Sequence, residues 1–494
     1  MPFQIVVLWT DILVYLLVAL IIATIAYTRS REHLRAPWRR VAQSTSGMIG
    51  LTVLLAFVAA GLLDSLHFRP RLESKDTKAK AAYAVEVLST LDIVLEPLRT
   101  RREKTYSAPL ATNLYAKEMI ERPDGTQVRD YPRLKYGGAR LADPESDWAA
   151  DIARSAFGGI AGGVVIWLLC GALVAATIAR GSGAHISQEW ARIWRGETEV
   201  PWGAILLTLL VFCALGGMTV ALAAKYHVLG TDKVGQDVLY QALKGIRTGL
   251  VIGTLTTLVM LPFALALGIA AGYFGGWADD AIQYVYTTLN SIPGVLLIAA
   301  AVLMMQVYID GHPELFPTAA QRADLRLLFL CIILGVTSWT GLCRLLRGET
   351  LKLKELEYIQ AAHAFGVRHH RIISRHILPN VMYIVLISVV MEFSGLVLAE
   401  AVLSYVGVGV DPSMNSFGTM INNARLEMAR EPMVWWSLAA AFIFMVTLVL
   451  AANLFADAVR DAFDPRVRTR ALSPVRLAQL LHARRAQSLK AEKA

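Results

Sequence analysis

Nine separate stretches, near residues 5–27, 47–66, 157–179, 203–224, 247–272, 281–309, 327–346, 381–403 and 434–456, are each apolar over the length a helix needs to cross a bilayer. Charge, Pro or Gly clusters bound every one of them, and in hydrocarbon such a backbone satisfies its own hydrogen bonds as helix. At 55% hydrophobic against 18% charged residues, the 494-residue chain presents most of its apolar surface to lipid rather than to one water-excluded core. The expected fold class is an all-α polytopic membrane protein with about nine transmembrane helices, its environment the lipid bilayer.

The net charge of +9 raises the question of where the positives sit. They fall in loops on alternate sides, which sets topology and argues against a nucleic-acid partner. Before residues 5–27 there is no Lys or Arg, and Asp11 lies within, while Arg29, Arg31, Arg35, Arg39 and Arg40 follow. That polarity is reversed for a cleaved signal and fits an anchor with its N-terminus outside. Loops 28–46, 180–202, 273–280, 347–380 and the tail after 456 are then inside, carrying five, three, none, six and nine Lys or Arg. An N-terminus outside and a C-terminus inside are expected.

The outside loop 67–156 is long enough to be a small soluble lobe, with 16 basic against 14 acidic residues. Within it, Ala82 to Leu98 reads as a helix with Val87, Leu91 and Val94 on one stripe, whereas RPDGTQ and YPRLKYGG read as irregular turns. In the basic tail 467–494, Leu477, Leu480 and Leu481 suggest a short amphipathic helix on anionic lipid.

Several chemistries lack their residues. The dipeptide Gly-Lys does not occur, so there is no phosphate loop of the GxxxxGK[ST] type, and HExxH, GxSxG and paired-Cys motifs are missing as well. Cys170, Cys213, Cys331 and Cys343 have neither CxxC spacing nor histidine companions, so disulfide and zinc readings are weak. Catalysis by this chain is not expected.

Between two apolar runs lies EYIQAAHAFGVRHHRIISRHILPN, residues 357–380. Residues 355–365 favour helix, Gly366 is placed to end it in a left-handed turn, and His369 to Leu378 can form a second turn-and-helix, with Pro379 opening the next helix. Such a bent element transmits a push that a floppy loop would not. His363, His369, His370 and His376 invite a metal-site reading but lack a carboxylate cluster, so solvated loop histidines account for them better. Glu392 and Glu400 sit in an apolar run, where a carboxylate faces a cavity, a partner or a pair. For Glu392 a pathway role and a structural role are evenly matched; for Glu400 the structural one is favoured. Gly245, Gly249, Gly253, Gly268 and Gly272 form a close-packing face, against this chain or a sister subunit.

Four stretches together resemble a known family: HVLGTDKVGQDVLYQALKGIRTGL at 227–250, LGIAAGYFGGWADD at 267–280, the 357–380 loop, and LAEAVLSYVGVGVDPSMNSFGTMI at 398–421 with DAVRDAFDPR at 457–466. The chain resembles the inner-membrane permease subunit of binding-protein-dependent ABC importers, in the dipeptide and oligopeptide branch. The resemblance implies that the loop docks in a cleft of a separate ATPase through Glu357, Tyr358, Ala361, Ala362, Gly366, Arg375, His376, Leu378, Pro379 and Asn380. It also implies a second permease subunit, two ATPase subunits holding ATP-Mg, a periplasmic solute-binding protein, and no cofactor on this chain. Gln360 stands where the wider family has glutamate and His376 where it has isoleucine, changes that point to the peptide branch; Gln236 stands where LGRD has arginine, so any contact of that arginine does not carry over. The resemblance also implies placement in the bacterial inner membrane, with the N-terminus periplasmic and the C-terminus cytoplasmic.

The expected organisation is an extra anchor and basic loop at 1–46, a first core helix at 47–66, the lobe at 67–156, an inserted hairpin at 157–224, and the transport domain at 225–466. Helix 203–224 is the other candidate for first core helix. The expected function is import of peptides or peptide-like solutes, coupled through 347–380. Alternatives are an ion-coupled secondary carrier using Glu392 and Glu400, a nickel-importing permease of the same family, and a membrane scaffold whose lobe binds a ligand.

Overall fold

The computed structural model describes residues 3–30, 32–71, 83–121, 127–183, 185–314, 316 and 318–463. The expected tail helix and the tip RPDGT lie outside them. Strand β1 (Phe3–Val6) precedes α1 (Trp9–Arg29), α2 (Glu32–Gln43) and α3 (Thr45–Asp64). The lobe holds β2 (His67–Pro70), β3 (Leu88–Ser89), α4 (Thr90–Val94), α5 (Glu96–Thr100), β4 (Glu118–Glu121) and β5 (Gln127–Asp130). Then come α6 (Pro144–Ser182), α7 (Ile186–Arg195), α8 (Trp202–Ala223), α9 (Val238–Phe274), α10 (Gly276–Ser291), α11 (Gly294–Gly311) and α12 (Ala319–Lys354). The chain continues through α13 (Glu357–Ala364), α14 (His369–Ile372), α15 (Leu378–Val406), α16 (Phe417–Glu427) and α17 (Trp436–Phe463).

Among the described residues, nine helices are long and apolar enough to cross a membrane, as the sequence predicts. One predicted run is corrected. Residues 281–309 are not a single helix, because Pro293 lacks an amide and pushes Ile292 into extended backbone (φ −87°, ψ 131°). The run splits into α10 and α11, of which only α11 qualifies as a span. Antiparallel pairing of β1 with β2 puts the start of α1 and the end of α3 on one side, the lobe side. The other side carries α13 and the bend within residues 357–380, the knuckle.

The expected helix over 82–98 is also corrected. Leu88–Ser89 pairs with β2, and Ser89 then caps α4 in a reciprocal box with Asp92. Pro97 starts a separate turn, α5. Leu91 is buried while Val94 is exposed, so the supposed stripe is not one face. Residues 131–138 are irregular, as expected.

Glycines set the helix seams. A methyl group on Gly268 would lie 2.8 Å from the Cys343 carbonyl oxygen, and one on Gly272 2.7 Å from that of Arg347, so α9 and α12 approach backbone to backbone. Gly245 and Gly249 face Phe417, and Gly253 faces Phe393, so this glycine face packs within the chain. In the α6–α8 pair, a methyl on Gly163 would overlap the Cys213 carbonyl, whereas Gly162 has open space around it. Gly163→Ala is therefore expected to cost about 1–3 kcal/mol by forcing the pair apart. Gly162→Ala should leave the melting temperature of the solubilised protein near that of the parent, and equal melting of the two variants would contradict this seam.

Candidate functional site

Helix α13 ends at Ala364 with Phe365 as its cap, and Gly366 takes the left-handed conformation the sequence predicts for it, with φ +73°. The chain then turns back through α14. Three isoleucines, Ile359, Ile372 and Ile377, are buried among Met260, Ile269, Tyr273, Trp339, Leu346 and Val385, so the bend stands on the shared core of α9, α12 and α15. The crest above these legs is bare. Tyr358 is exposed, and Phe365 at the apex is 86% exposed, with Arg368, His370 and Arg371 beside it. A large aromatic held outward on a fixed bend is what a docking surface offers a partner.

The predicted loop residues divide by role. Ala362 and Leu378 pack against the core, while Glu357, Tyr358, Ala361, Arg375, Pro379 and Asn380 are exposed. Asn380 Nδ2 donates to the His376 carbonyl at 2.6 Å and to the Tyr358 hydroxyl at 3.2 Å, joining the two arms of the bend. The His376 ring lies tilted against Tyr358, with ring centroids 5.9 Å apart. His369 Nδ1 meets the Tyr273 hydroxyl at 2.9 Å. Among the described residues, no group of three or more His, Cys, Asp or Glu is placed to hold a metal.

Pro379 stands in the first turn of α15, where the sequence places it, but α15 has no free N-terminus there. A π turn over Ile373–Ile377 links α14 to α15, giving one continuous helix from His369 to Val406. The wider turn accommodates the missing proline amide without a break. At about 1.5 Å per residue, these 38 residues form a rod on the order of 57 Å long, from the knuckle to the lobe side.

Glu392 and Glu400 lie on this rod and are not brought together. Glu400 is 1% exposed and accepts from Ser404 Oγ at 2.6 Å and Ser416 Oγ at 2.9 Å, tying α15 to the start of α16. Glu392 is half-buried and makes no hydrogen bond or ion pair among the described residues.

Sequence reasoning missed a belt of charge at the lobe-side end of α9. Arg247, 5% exposed, donates to Asp11 Oδ1 at 2.7 Å and Thr10 Oγ1 at 2.9 Å, and lies 3.7 Å from Asp324 of α12. The Thr10 amide donates to Asp324 at 3.1 Å. One turn earlier, Lys244 reaches Asp64 at 2.6 Å and Asp92 at 3.1 Å. Just before the helix, His227 Nδ1 meets Asp237 at 2.8 Å, while its Nε2 faces Glu103 at 3.5 Å, an ion-pair distance longer than a good hydrogen bond. The signal was present as Lys244 and Arg247, two cations at the start of an apolar run.

The His227 pair gives the lobe a pH dependence. Burial disfavours the imidazolium, but the carboxylates of Asp237 and Glu103 outweigh it and push His227 up to about 9 from its ordinary 6.5. Burial likewise opposes the Glu103 carboxylate, yet His227 and the amides of Lys135, Tyr136 and Gly137 bring it down to about 2 from 4.5. A raised histidine stabilises fully below 6.5 and loses that contribution as pH climbs through about 9; a lowered carboxylate stabilises above 4.5 and loses it as pH falls through about 2. Intrinsic-rate-corrected hydrogen-exchange protection at residues 135–137 should therefore be flat from about pH 4.5 to 6.5 and decline toward pH 9. A constant protection factor to pH 9 would contradict the clamp.

A family model described as the binding-protein-dependent transport system inner membrane component matches residues 264–469. The oligopeptide transport system permease protein OppC of Mycobacterium tuberculosis is 34% identical over 243 residues, covering 49% of this chain and 77% of that protein. This chain belongs to that family of inner-membrane components. The resemblance read from four sequence stretches thus holds, and the chain is a multi-pass membrane protein of the family. It is also similar to the glutathione transport system permease protein GsiD of Pectobacterium atrosepticum, 33% identical over 49% of this chain and 74% of that one. The dipeptide transport system permease protein DppC of Bacillus subtilis is 26% identical over 59% of this chain and 89% of its own length.

Proposed function

We propose that this permease is the translocating subunit of an ATP-driven importer for peptides or peptide-like solutes. The knuckle side is cytoplasmic and the lobe side periplasmic. The observation that carries this reading is the knuckle itself, an exposed aromatic crest on buried isoleucine legs, continuous with a helix that spans the membrane. A cleft on each of two ATPase subunits receives such a crest, one from this chain and one from a second permease subunit. Closure on ATP-Mg pulls the crest, the rod follows, and access alternates between the two sides. A periplasmic binding protein delivers the solute to the lobe side. The chain itself breaks no covalent bond, and the peptide class is supported by its relatives, permeases for oligopeptides, glutathione and dipeptides.

In the proposed organisation, α3 is the first core helix, since it packs on α9 and α17. The α6–α8 hairpin is an insertion resting on α3 through α8, and α1 is an added anchor. Glu392 is the residue proposed to face the pathway, with Glu400 structural. Reconstitution of the chain with its co-purifying partners tests the reading: ATP-dependent accumulation of short peptides in proteoliposomes is expected, and uptake that persists without any ATPase subunit would defeat it. Glu392→Gln should lower uptake several-fold with little change in melting temperature, because no hydrogen bond is lost. Unchanged uptake in that variant would remove Glu392 from the pathway.

A further inference from the structure

On the lobe side, the end of α11, the start of α12 and the segment after α15 meet at one side chain. Arg326 Nη1 donates to Asp411 at 2.5 Å and Nη2 donates to Asp310 at 2.8 Å, with Arg326 and Asp411 both largely shielded from solvent. Beneath this junction lies a cleft of about 510 Å³, open mouth included, lined among others by Met305, Gln306, Phe329 and Val410. Asp411 is rigidly placed: its carboxylate accepts the Ser413 amide at 2.9 Å and the Ser413 hydroxyl at 2.6 Å, and Gly407, φ +87°, caps the rod just before it. Gly409 lies so close to Ser404 that any side chain there would overlap it. Asp411 thus lies four residues beyond Gly407, the cap on the lobe-side end of the same continuous helix that begins at the knuckle.

We propose that Arg326 is the latch of the lobe-side entrance. It pins the far end of the rod to α11 and α12, and displacement of the knuckle opens the cleft by drawing Asp411 off the guanidinium. This rests on the importer reading above and assigns it a positioning residue far from the crest. A second arginine on α12, Arg347, grips Asp279 at 2.5 and 2.6 Å near the knuckle side, 21 positions further on. Because Arg347 binds α10 rather than the rod, it does not report on this entrance.

The test uses the complete transporter in membranes, with Met305→Cys in the cleft labelled by an impermeant maleimide from the lobe side and corrected for the parent chain's own thiols. Without nucleotide, Arg326→Gln and Asp411→Asn should label on the order of five- to thirtyfold faster than the Met305→Cys protein alone, the factor that about 1–2 kcal/mol makes in an opening equilibrium. The charge swap Arg326→Asp with Asp411→Arg keeps two carboxylates and one guanidinium at the junction and should return labelling to the slow rate. Equal labelling in Arg326→Gln and its parent overturns the latch, and so does fast labelling that the swap fails to reverse, which would mark lost packing. A non-hydrolysable ATP analogue separates the two ideas. If it leaves the parent's labelling unchanged while Arg326 variants still differ, the ATP-coupled reading fails and the latch stands; if it speeds the parent while Arg326→Gln matches the parent, the reverse holds.

Discussion

Replacing Phe365 by aspartate is expected to weaken association with the ATPase subunits about thirtyfold or more, and ATP-driven uptake with it. An aromatic side chain buried at the centre of an interface typically contributes 2 kcal/mol or more, which corresponds to about that factor. Aspartate also brings a charge into a site that must lose water on docking. Because Phe365 is 86% exposed and its neighbour Gly366 has open space around it, the free subunit loses no packing, so membrane insertion and melting temperature should be unchanged. Ile372→Ala provides the contrast: this leg is fully buried, and about 2–5 kcal/mol of fold stability should go with it. Removing residues 362–371 altogether should abolish association. Pull-down of the ATPase by the Phe365→Asp protein at parental strength would show that the crest is not the handle.

The second large effect is expected at Arg247. Changing it to leucine leaves Asp11 and Asp324 facing each other without the guanidinium in a nearly water-free site, Asp11 keeping only His67 as a basic neighbour, and breaking a buried pair in this way costs about 3–5 kcal/mol. Contact between α1 and the α9–α12 pair should loosen, seen as protease sensitivity around residues 28–46. Adding Asp11→Asn and Asp324→Asn to the leucine variant should recover most of the loss, since the stranded carboxylates are gone. If the triple variant is no more stable than the single one, the cluster acts through shape rather than charge.

How much of this was legible beforehand differs element by element. Gly366 was readable because a helix-ending glycine in a polar loop has few competing conformations, and the spans were readable because length and apolarity are local properties. Pro293 was equally visible within 281–309, but hydropathy averages over a residue that backbone geometry does not forgive. The helix expected over 82–98 failed because β2, twenty residues upstream, claims Leu88 and Ser89, and short-range periodicity carries no sign of a distant strand partner. The charge belt was hidden for the same reason. Asp11 reads as a flank residue until the fold sets it beside Arg247, and the alternation of Glu392 and Glu400 on one helix says nothing of which finds serines. For the glycine face of α9, spacing predicted close contact and only packing named the neighbours.

The pairing of Asp11 with Arg247 spans 236 positions, and that separation governs how the molecule is made. At about 5–20 residues per second of synthesis, the first helix waits roughly ten to fifty seconds in the bilayer before its cation exists. During that interval it carries a carboxylate answered only by nearer neighbours such as His67, 2.8 Å away in the finished protein. Synthesis thus imposes an order: the first helix precedes by that interval the partner that neutralises it, Arg247 of α9, the fifth of the membrane spans among the described residues.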